Sequence, residues 1–426
     1  MRFLSNLTDP ACLNNLAFYA LLGSGAYLVL LWSPHVLGDY CCLTVEILIY
    51  TVPWLLVCLA CRSRVVTAKE YRLEIILVIS ILLLGVLNAF LSDNPVRSVK
   101  TMRTFLLTGV LALWSSMFLV TGQRRREGFD WFCGGCLAVI TGAEIITYII
   151  RGAYAPGVFQ IFTLHAIPLG TLIILLSTGP VRLILSKNSA GKSVGWLLVL
   201  AGGILVFLTH KRGTLIVLAA MLVASLIYHG RRLARRQRYL IFAMLLVIAL
   251  VIPLQAKRMI ARLDPNVPRY GSLYQRLELY PFAFHVWKTH PLMGIGLRPY
   301  THDLYLKDYQ QRNKDLREFP QAVAKLQTFD SMALTALVEL GTVMTLLYLS
   351  LILLIIIRYV RAVRSLEVSS LMDWYRLLVL IGFACHSLTY DSLLFPPVNW
   401  LFHVQLGVMA GYYLRRDAYL RHSPPV

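Results

Sequence analysis

Twelve apolar runs divide the chain, and most are close to the length of about twenty residues that a helix needs to cross a bilayer. In lipid, only helices and closed barrels satisfy every backbone polar group, and these runs are too long for barrel strands. The sequence therefore predicts an all-α polytopic membrane protein of about 12 transmembrane helices. We place the runs at residues 14–33, 41–61, 73–92, 104–121, 130–150, 158–178, 194–210, 213–229, 239–255, 332–357, 374–393 and 398–414.

The composition also favours a membrane protein, because 58% of the 426 residues are apolar and 15% are charged. Soluble domains are nearer to about 45–50% apolar and 25% charged. Residues 1–12 are mixed in character, and no small-residue cleavage site follows a short apolar core. We therefore expect the first run to be retained in the protein and not removed as a signal peptide.

The net charge of +20 does not indicate a nucleic-acid-binding protein, because the basic residues form short clusters between the apolar runs. Such clusters set membrane orientation or contact lipid head groups. One set of alternate loops carries most of them, so we expect a bacterial inner-membrane protein with both termini in the cytoplasm. The clusters are Arg62, Arg64, Lys69 and Arg72; Arg124, Arg125 and Arg126; Arg182, Lys187 and Lys192; Arg231, Arg232, Arg235, Arg236 and Arg238; Arg358, Arg361 and Arg364; and Arg415, Arg416 and Arg421.

The longest polar segment, residues 256–331, is predicted to lie on the periplasmic side and is called the long loop below. It separates nine spans in residues 1–255 from three spans and a cytoplasmic tail in residues 332–426. The long loop has twelve Lys or Arg residues against seven Asp or Glu, and other basic residues are predicted on the same side. Either anionic lipid head groups or an anionic substrate, such as a lipid diphosphate, would explain this charge. The other basic residues are Arg97, Lys100, Arg103, Lys211 and Arg212.

The long loop itself is expected to be partly helical. Apolar residues recur every three or four positions between Ser272 and Thr289, which is typical of an amphipathic helix. Pro281 is expected to interrupt or kink this helix. Pro291 and the pair Gly294-x-Gly296 predict a stop and a tight turn, and a second, charged helix is expected at 304–327.

The sequence predicts neither a metal site nor a cofactor. Two cysteine pairs have CxxC spacing, but both lie in or beside apolar runs without a second ligand pair, so we interpret them as packing residues. A Walker motif, an HExxH motif and a nucleophile elbow are absent, and Gly294-x-Gly296 lacks the strand and third glycine of a dinucleotide site. Any group transfer outside the membrane would therefore use an activated donor delivered by a lipid. The pairs are Cys58/Cys61 and Cys133/Cys136.

Three segments together resemble the O-antigen ligase and O-antigen polymerase superfamily. The segment LTHKRGTLI at 208–216 is similar to the family's arginine in a short periplasmic turn. The segment SLYQRLELYPFAFHVWKTHPLMGIG at 272–296 looks like the family's Ser, Arg, aromatic helix, Pro and Gly-x-Gly. The segment DSMALTALVELG at 330–341 is similar to the family's return to the membrane, which ends in Glu-x-Gly. The resemblance covers residues 195–345.

This resemblance implies a metal-independent membrane glycosyltransferase of surface polysaccharide biosynthesis. Its donor is a glycan on a polyprenyl (undecaprenyl) diphosphate, and its acceptor is a hydroxyl of a saccharide or glycolipid. Arg212 and Arg276 match the family's two arginines that face the diphosphate, a role that suits the bidentate guanidinium. The alternatives are that Arg212 extends to the membrane surface from a helix end and that Arg276 forms a surface ion pair. Ligase and polymerase both remain open.

The chain departs from the ligases at the catalytic base. The family's histidine aligns with Asp330, and its asparagine aligns with Ser331. A carboxylate also accepts a proton from a hydroxyl, although its ordinary pKa near 4 requires tuning. His302 and Asp391 are the alternative bases, but His302 could instead be a solvated loop residue and Asp391 could instead cap a turn.

Ionisable groups inside the apolar runs are functional hypotheses by default. We interpret Glu339 as a packing or hydrogen-bonding position of the family, whereas the others could form a polar seam or satisfy one another. Two rival functions also remain open: a flippase or transporter for lipid-linked glycans, and a non-catalytic scaffold for envelope assembly. The ionisable groups are Glu46, Glu144, His165, Glu339, His386 and His403.

Overall fold

A computed structural model of the protein describes most of the predicted spans and part of the long loop. Within its ranges all regular secondary structure is helical, so the predicted all-α class is confirmed. The described residues are 10–31, 51–59, 71–151, 166–208, 212–229, 235, 238–239, 241–243, 245–246, 272–299, 302–312, 329, 331–364, 371–388 and 390–422.

The helices are numbered here in chain order. They are α1 (Pro10–Ala26), α2 (Arg72–Phe90), α3 (Pro95–Phe105), α4 (Leu111–Leu119), α5 (Gln123–Arg151), α6 (Ala166–Leu176), α7 (Thr178–Ile184), α8 (Ser189–Leu208), α9 (Arg212–His229), α10 (Ser272–Thr289), α11 (His302–Arg312), α12 (Met332–Thr335), α13 (Gly341–Arg364), α14 (Leu371–Ser387) and α15 (Pro396–His422). Three π-helical turns, Tyr27–Leu31, Leu106–Val110 and Ala336–Leu340, follow α1, α3 and α12, and a 3-10 turn, Ser392–Leu394, precedes α15.

Six helical segments of the described ranges are long and apolar enough to cross a membrane. They support a multi-pass membrane protein, whereas the number of twelve spans and the placement of the loops remain predictions. The ninth predicted span, 239–255, lies almost wholly outside the described residues. The six segments are Cys12–Leu30, Arg72–Phe90, Pro95–Leu119, Gln123–Thr147, Ser189–Val206 and Met332–Arg364, with shorter apolar stretches at Pro168–Ile184 and Gly213–Ile227.

The fourth predicted span begins at Pro95, well before the predicted start at residue 104. The side chain of Asn94 accepts a hydrogen bond of 3.4 Å from the backbone N–H of Arg97, and Pro95 has no N–H to leave unpaired at the first helical position. Polar residues of α3 hide this start from a hydropathy analysis. Arg97, Lys100 and Arg103, which precede the predicted start of this span, therefore lie on α3.

Helix α15 lies at the centre of the bundle, where it packs against α4, α6 and α13. Its residues 396–411 are all buried. Close approach to α4 depends on Gly407, where a Cβ would collide with the side chain of Ser116. Large apolar residues of the outer helices are instead exposed, as expected of surfaces that face lipid. Examples are Leu83 of α2, Leu197 of α8 and Leu346 of α13.

The helix is interrupted at Gly341, which separates the π-helical turn after α12 from α13. The residues between α10 and α11, 290–299, dock into this break and are called the glycine loop below. Four backbone hydrogen bonds join the two: Ile295 N–H to the Val338 carbonyl (3.1 Å), Gly296 N–H to the Glu339 carbonyl (3.0 Å), Thr342 N–H to the Pro291 carbonyl (2.9 Å) and Val343 N–H to the Leu292 carbonyl (3.2 Å). The loop thus satisfies groups that a broken helix would otherwise leave unpaired in an apolar surrounding.

Two glycines make this docking possible. Gly294 and Gly341 have φ values of +70° and +77°, in the left-handed region that favours glycine. A Cβ on Gly294 would collide with the carbonyl of Glu339, and a Cβ on Gly341 would collide with the carbonyl of Leu292. Asn88 of α2 reinforces the contact, because its side-chain N–H groups donate to the carbonyls of Glu339 (3.0 Å) and Met293.

The predictions for the long loop are confirmed in part. Helix α10 has the predicted bounds, Ser272–Thr289, but it continues through Pro281, so an interruption there is wrong. Packing of its buried face against α11 and the turn after α12 keeps it helical on both sides of the proline. The helix ends before Pro291, and the predicted turn at Gly294-x-Gly296 is confirmed. The second helix is α11, His302–Arg312, and 313–327 lie outside the described residues.

Candidate active site

Three segments meet at one end of the helix bundle, which we call the loop end. They are residues 91–98, the glycine loop and residues 390–395. The backbone N–H of Asp93 donates to the carbonyl of Ile295 at 3.1 Å, and the hydroxyl of Ser98 donates to the carbonyl of Leu297 at 3.2 Å. The predicted site residues described below lie on elements that converge at this end.

The carboxylate of Asp391 is buried at the loop end, with 1% of the residue exposed. It accepts a hydrogen bond of 2.6 Å from the hydroxyl of Thr335, which is itself fully buried. The side chain does not cap the following 3-10 turn, so the capping alternative for Asp391 is wrong. Because the backbone N–H of Thr335 donates to the carbonyl of Ser331 at 2.9 Å, Asp391 lies one helical turn from Ser331.

A buried histidine links this region to the start of α9. The Nε2 of His386 lies 3.1 Å from the hydroxyl of Thr214, and its Nδ1 lies 3.1 Å from the hydroxyl of Thr171. The Thr171 hydroxyl in turn lies 3.4 Å from that of Ser392, the neighbour of Asp391. Which ring nitrogen donates depends on the tautomer. The chain of hydrogen bonds therefore ties the first turn of α9 to the turn that carries Asp391.

A small apolar core covers the other side of the site. Phe329 is buried between α10, α11 and the turn after α12, and its ring centroid lies 6.0 Å from that of Phe282. Trp287 of α10 donates through its indole N–H to the hydroxyl of Thr342 at 3.0 Å. The residue at the end of the long loop is thus held against the same helix, α10, that carries Arg276.

The predicted site residues are described to different extents. Arg212 is the first residue of α9, Arg276 lies near the start of α10, and His302 is the first residue of α11, but their side chains lie outside the described part of the structure. Asp330 also lies outside the described residues, although both Phe329 and Ser331 are buried. Among the predicted site residues, Asp391 is the one whose side chain the structure describes.

Glu339 is confirmed as a hydrogen-bonding position. Its side chain is fully buried, and its Oε2 accepts a hydrogen bond of 2.8 Å from the backbone N–H of Arg298. Its carbonyl accepts from both Gly296 and Asn88. One residue thus holds the glycine loop by its backbone and by its side chain. The Glu-x-Gly pattern at 339–341 and the Gly-x-Gly pattern at 294–296 form one structural unit.

Sequence analysis missed Arg298. This residue has a φ of +48°, the one positive φ among the described non-glycine residues. Its guanidinium carbon lies 6.0 Å from the centroid of the Phe395 ring, and its Nε is buried. The sequence did contain a signal for this residue, because Arg298 comes shortly after a glycine-rich turn in a basic loop. The structure shows in addition that Arg298 contacts Phe395, in the segment that carries Asp391.

Helix α3 brings further positive charge to the loop end. Its residue Ser98 is bonded to the glycine loop, and on the same helix Arg97 and Lys100 are exposed while Arg103 is partly buried. Exposed basic groups beside a buried polar site attract anions from solution or from the membrane surface. The charge predicted to favour an anionic substrate therefore lies at the loop end.

Helix α11 is attached to the loop end by polar contacts of its own. The hydroxyl of Tyr305 donates to the carboxylate of Asp93 at 2.6 Å. Burial raises the pKa of the Tyr305 phenol, and the hydrogen bond to Asp93 raises this pKa further. Desolvation raises the pKa of Asp308, but hydrogen bonds from Arg312 and His285 outweigh it and leave that pKa below its usual value.

Of the remaining ionisable groups of the spans, His403 bonds to a hydroxyl and a backbone carbonyl. Nε2 of His403 lies 2.9 Å from the hydroxyl of Tyr348, and Nδ1 lies 2.8 Å from the carbonyl of Asn399. Glu144 is buried in α5, whereas Glu46 and His165 lie outside the described residues. The cysteines Cys133 and Cys136 are free and buried in the apolar core, as packing residues are.

Residues 196–349, which include α9 to α12, the glycine loop and the positions of Arg212, Arg276, His302 and Asp330, match the O-antigen ligase family. This match supports a relationship of the chain to the O-antigen ligase/polymerase superfamily. No curated protein matches the chain. The three segments that carried the resemblance all lie within the matched residues, so the family prediction is confirmed.

The family match has general consequences for the chain. The family indicates glycosyltransferase activity of the ligase or polymerase type, with lipid-linked glycan and polysaccharide substrates. Together with the apolar helices, it indicates a multi-pass bacterial membrane protein.

Proposed function

We propose that this protein transfers a glycan from a polyprenyl diphosphate donor to a saccharide hydroxyl at the periplasmic face of the bacterial inner membrane. The observation that carries the proposal is the buried hydrogen-bonded path from Thr214 through His386 to Ser392. It connects the start of α9, which bears Arg212, to the turn that bears Asp391. The Thr335–Asp391 bond extends this connection to the helix that begins beside Asp330.

In the proposed reaction the acceptor oxygen attacks the anomeric carbon of the donor glycan. The new carbon–oxygen bond forms as the bond to the diphosphate breaks, and the electron pair leaves with the diphosphate. Asp330 accepts the proton of the acceptor hydroxyl. Arg212 and Arg276 bind the departing diphosphate and stabilise its developing charge. Direct displacement inverts the anomeric centre, as the resemblance implies, and requires no metal.

Asp391 has a different proposed role. A buried carboxylate that already accepts a hydrogen bond from Thr335 is suited to fixing the geometry of the loop end. We therefore rank Asp391 behind Asp330 as the base. His302 is the other alternative, because it begins α11 on the side of the apolar core that contains Phe329.

The proposed orientation places the loop end on the periplasmic side and both termini in the cytoplasm. It is supported by the Lys and Arg clusters of the alternate loops. A cysteine introduced at the exposed position of Gln311 in α11 would test it, since labelling from outside intact spheroplasts is expected. Labelling only after permeabilisation would reverse the orientation.

The test of the function is glycan transfer by the purified protein in detergent. The donor is lipid-linked glycan extracted from bacteria that lack this protein, and the acceptor is either the same lipid-linked glycan or lipid A-core. We expect release of undecaprenyl diphosphate together with a glycosylated acceptor. Elongated lipid-linked glycan would indicate a polymerase, whereas modified lipid A-core would indicate a ligase. An unchanged donor in the presence of monodisperse protein would contradict both.

The break at Gly341 bears on the rival transporter hypothesis. Transporters commonly place paired broken helices around a cavity at the membrane midplane. Here the break is filled by the backbone of the glycine loop, and its polar groups bond to that loop. The break therefore serves to seat the loop. Movement of lipid-linked glycan across proteoliposomes without glycan transfer would favour the transporter instead.

A further inference from the structure

The conformation of Arg298 is unusual for its residue type. Its φ of +48° lies in the left-handed region, where a side chain crowds the backbone. The conformation is held in place by Glu339, whose buried carboxylate accepts the backbone N–H at 2.8 Å. Backbone strain of this kind persists where the surrounding structure imposes it, and it is concentrated at functional sites.

The side chain of Arg298 is also held, but by an aromatic surface. Its guanidinium carbon lies 6.0 Å from the centroid of the Phe395 ring, which is within range of a cation–π contact. Phe395 stacks in turn on Tyr390, with centroids 5.7 Å apart and planes at 19°. Tyr390 and Phe395 flank the turn that begins with Asp391. The guanidinium is therefore pre-positioned over the segment that carries the buried carboxylate of the site.

The Nε–H donor of this guanidinium is not used within the described residues. Nε of Arg298 is buried and has no hydrogen-bond partner there, and no carboxylate of the described part of the chain forms an ion pair with this side chain. The carboxylate of Glu339 accepts its hydrogen bond from the backbone N–H of Arg298. Buried polar groups are almost always paired, so this N–H is suited to an acceptor on a bound ligand.

The acceptor is expected to be an anion. An arginine presents five N–H donors in a planar fork that matches the oxygens of a phosphate or diphosphate. Arg97 and Lys100 add positive charge on α3, which is tied to the residue preceding Arg298 by the bond from Ser98 to Leu297. Both a donor diphosphate and an anionic phospholipid head group have this chemistry.

We propose that Arg298 is a third arginine for the donor diphosphate, in addition to the proposed Arg212 and Arg276, and that Glu339 and Phe395 hold it in position. This inference rests on the proposed function and adds a residue to its binding site. The diphosphate is favoured over a phospholipid because Arg298 lies within the family-matched residues and against the segment of Asp391. A general lipid contact would have no need for a strained, pre-positioned guanidinium.

Arg298→Gly is the decisive variant, because glycine adopts a positive φ readily and the change removes only the side chain. We expect the melting temperature without ligand to stay unchanged or to rise. The affinity for undecaprenyl diphosphate, measured by thermal stabilisation in phosphatidylcholine nanodiscs, is expected to fall about tenfold or more. Arg298→Lys keeps the charge but not the planar fork, and an intermediate loss is expected. Lys288→Gln, which removes one exposed charge from α10, is the matched control and should leave the affinity unchanged.

The outcomes separate the alternatives. If Arg298→Gly binds undecaprenyl diphosphate as the wild type does, the inference is wrong. If the variant instead loses stabilisation by phosphatidylglycerol alone, Arg298 is a phospholipid contact and the inference is also wrong. A lower melting temperature without ligand and an unchanged affinity would assign the guanidinium a structural role on Phe395. A wild-type protein that binds undecaprenyl diphosphate but transfers no glycan would contradict the proposed function and leave the binding role of Arg298 intact.

Discussion

The hydroxyl of Thr335 donates a hydrogen bond of 2.6 Å to the carboxylate of Asp391. Both residues are buried, and they belong to α12 and to the turn before α15. A hydrogen bond to a charged group contributes about 1.5–3 kcal/mol, and leaving such a group unpaired when buried costs more. This single bond therefore positions the turn of Asp391 against the helix that begins beside Ser331.

Thr335→Val removes the donor while it keeps the shape of the side chain. We expect this variant to lower the free energy of unfolding by about 1–3 kcal/mol, because the buried carboxylate loses a partner. Glycan transfer should fall as well, since the turn before α15 is no longer fixed. The matched control is Thr147→Val, whose hydroxyl bonds within its own helix to the carbonyl of Ala143. If both variants melt at the same temperature, the Thr335–Asp391 bond does not stabilise the fold.

Some parts of this architecture could be predicted because they follow from side-chain patterns. The apolar run 213–229 corresponds to α9, Arg212–His229, because charged residues end the run on both sides. The start of α10 followed from its three-to-four apolar spacing. The start of α3 was missed because its first residues are polar, and in that case the Asn94-Pro95 pair was the better signal.

The docking of the glycine loop could not be predicted in the same way. Its hydrogen bonds join backbone groups of Ile295 and Gly296 to those of Val338 and Glu339, and backbone groups are identical at every position. The glycines predicted a turn but not its partner. The link from Thr214 to His386 was likewise hidden, since a threonine in an apolar run has many possible partners. Candidate residues were thus easier to predict than the contacts between them.

The two glycines of the docked loop should not tolerate a methyl group. Gly294→Ala and Gly341→Ala would each combine an unfavourable positive φ with a collision against the opposite backbone. We expect each to lower the free energy of unfolding by more than about 2 kcal/mol and to reduce the amount of protein in the membrane. In contrast, Gly142→Ala in α5 meets nothing within 4 Å and should be neutral or slightly stabilising. Wild-type melting of Gly294→Ala would contradict the described docking.

The contact between Tyr305 and Asp93 should depend on pH in the alkaline range. Burial and the bond to Asp93 raise the pKa of Tyr305 in the folded protein, so folding favours the protonated phenol. Its contribution is therefore complete below the unfolded pKa of about 10 and declines as the pH rises above that value. We expect the melting curves of the wild type and Tyr305→Phe to differ at pH 8 and to converge above pH 10. Parallel curves across this range would show that the phenol keeps its ordinary pKa.

The two proposed diphosphate arginines should not be replaceable by lysine. Arg212→Lys and Arg276→Lys keep the charge, but an ammonium does not reproduce a planar, bidentate fork. We expect each variant to lose most of its transfer activity, on the order of 10²-fold, at normal expression. Arg312→Lys, in the exposed ion pair with Asp308 on α11, is the control that should transfer normally. Wild-type rates in either variant would return that arginine to a structural role.

Asp330 is the residue on which the proposed chemistry depends most directly, since the resemblance aligns it with the histidine of the family. Asp330→Asn keeps the size and polarity of the side chain but cannot accept a proton. We expect the rate of transfer to fall by about two to four orders of magnitude, with binding of undecaprenyl diphosphate nearly intact. Asp330→His should recover part of the rate, because a neutral imidazole is also a proton acceptor.

Asp308→Asn serves as the control, because it removes an exposed carboxylate from α11 and should change the rate little. A near wild-type rate in Asp330→Asn would move the search for the base to His302 and Asp391. Failure of Asp330→Asn to insert or fold would instead give Asp330 a structural role.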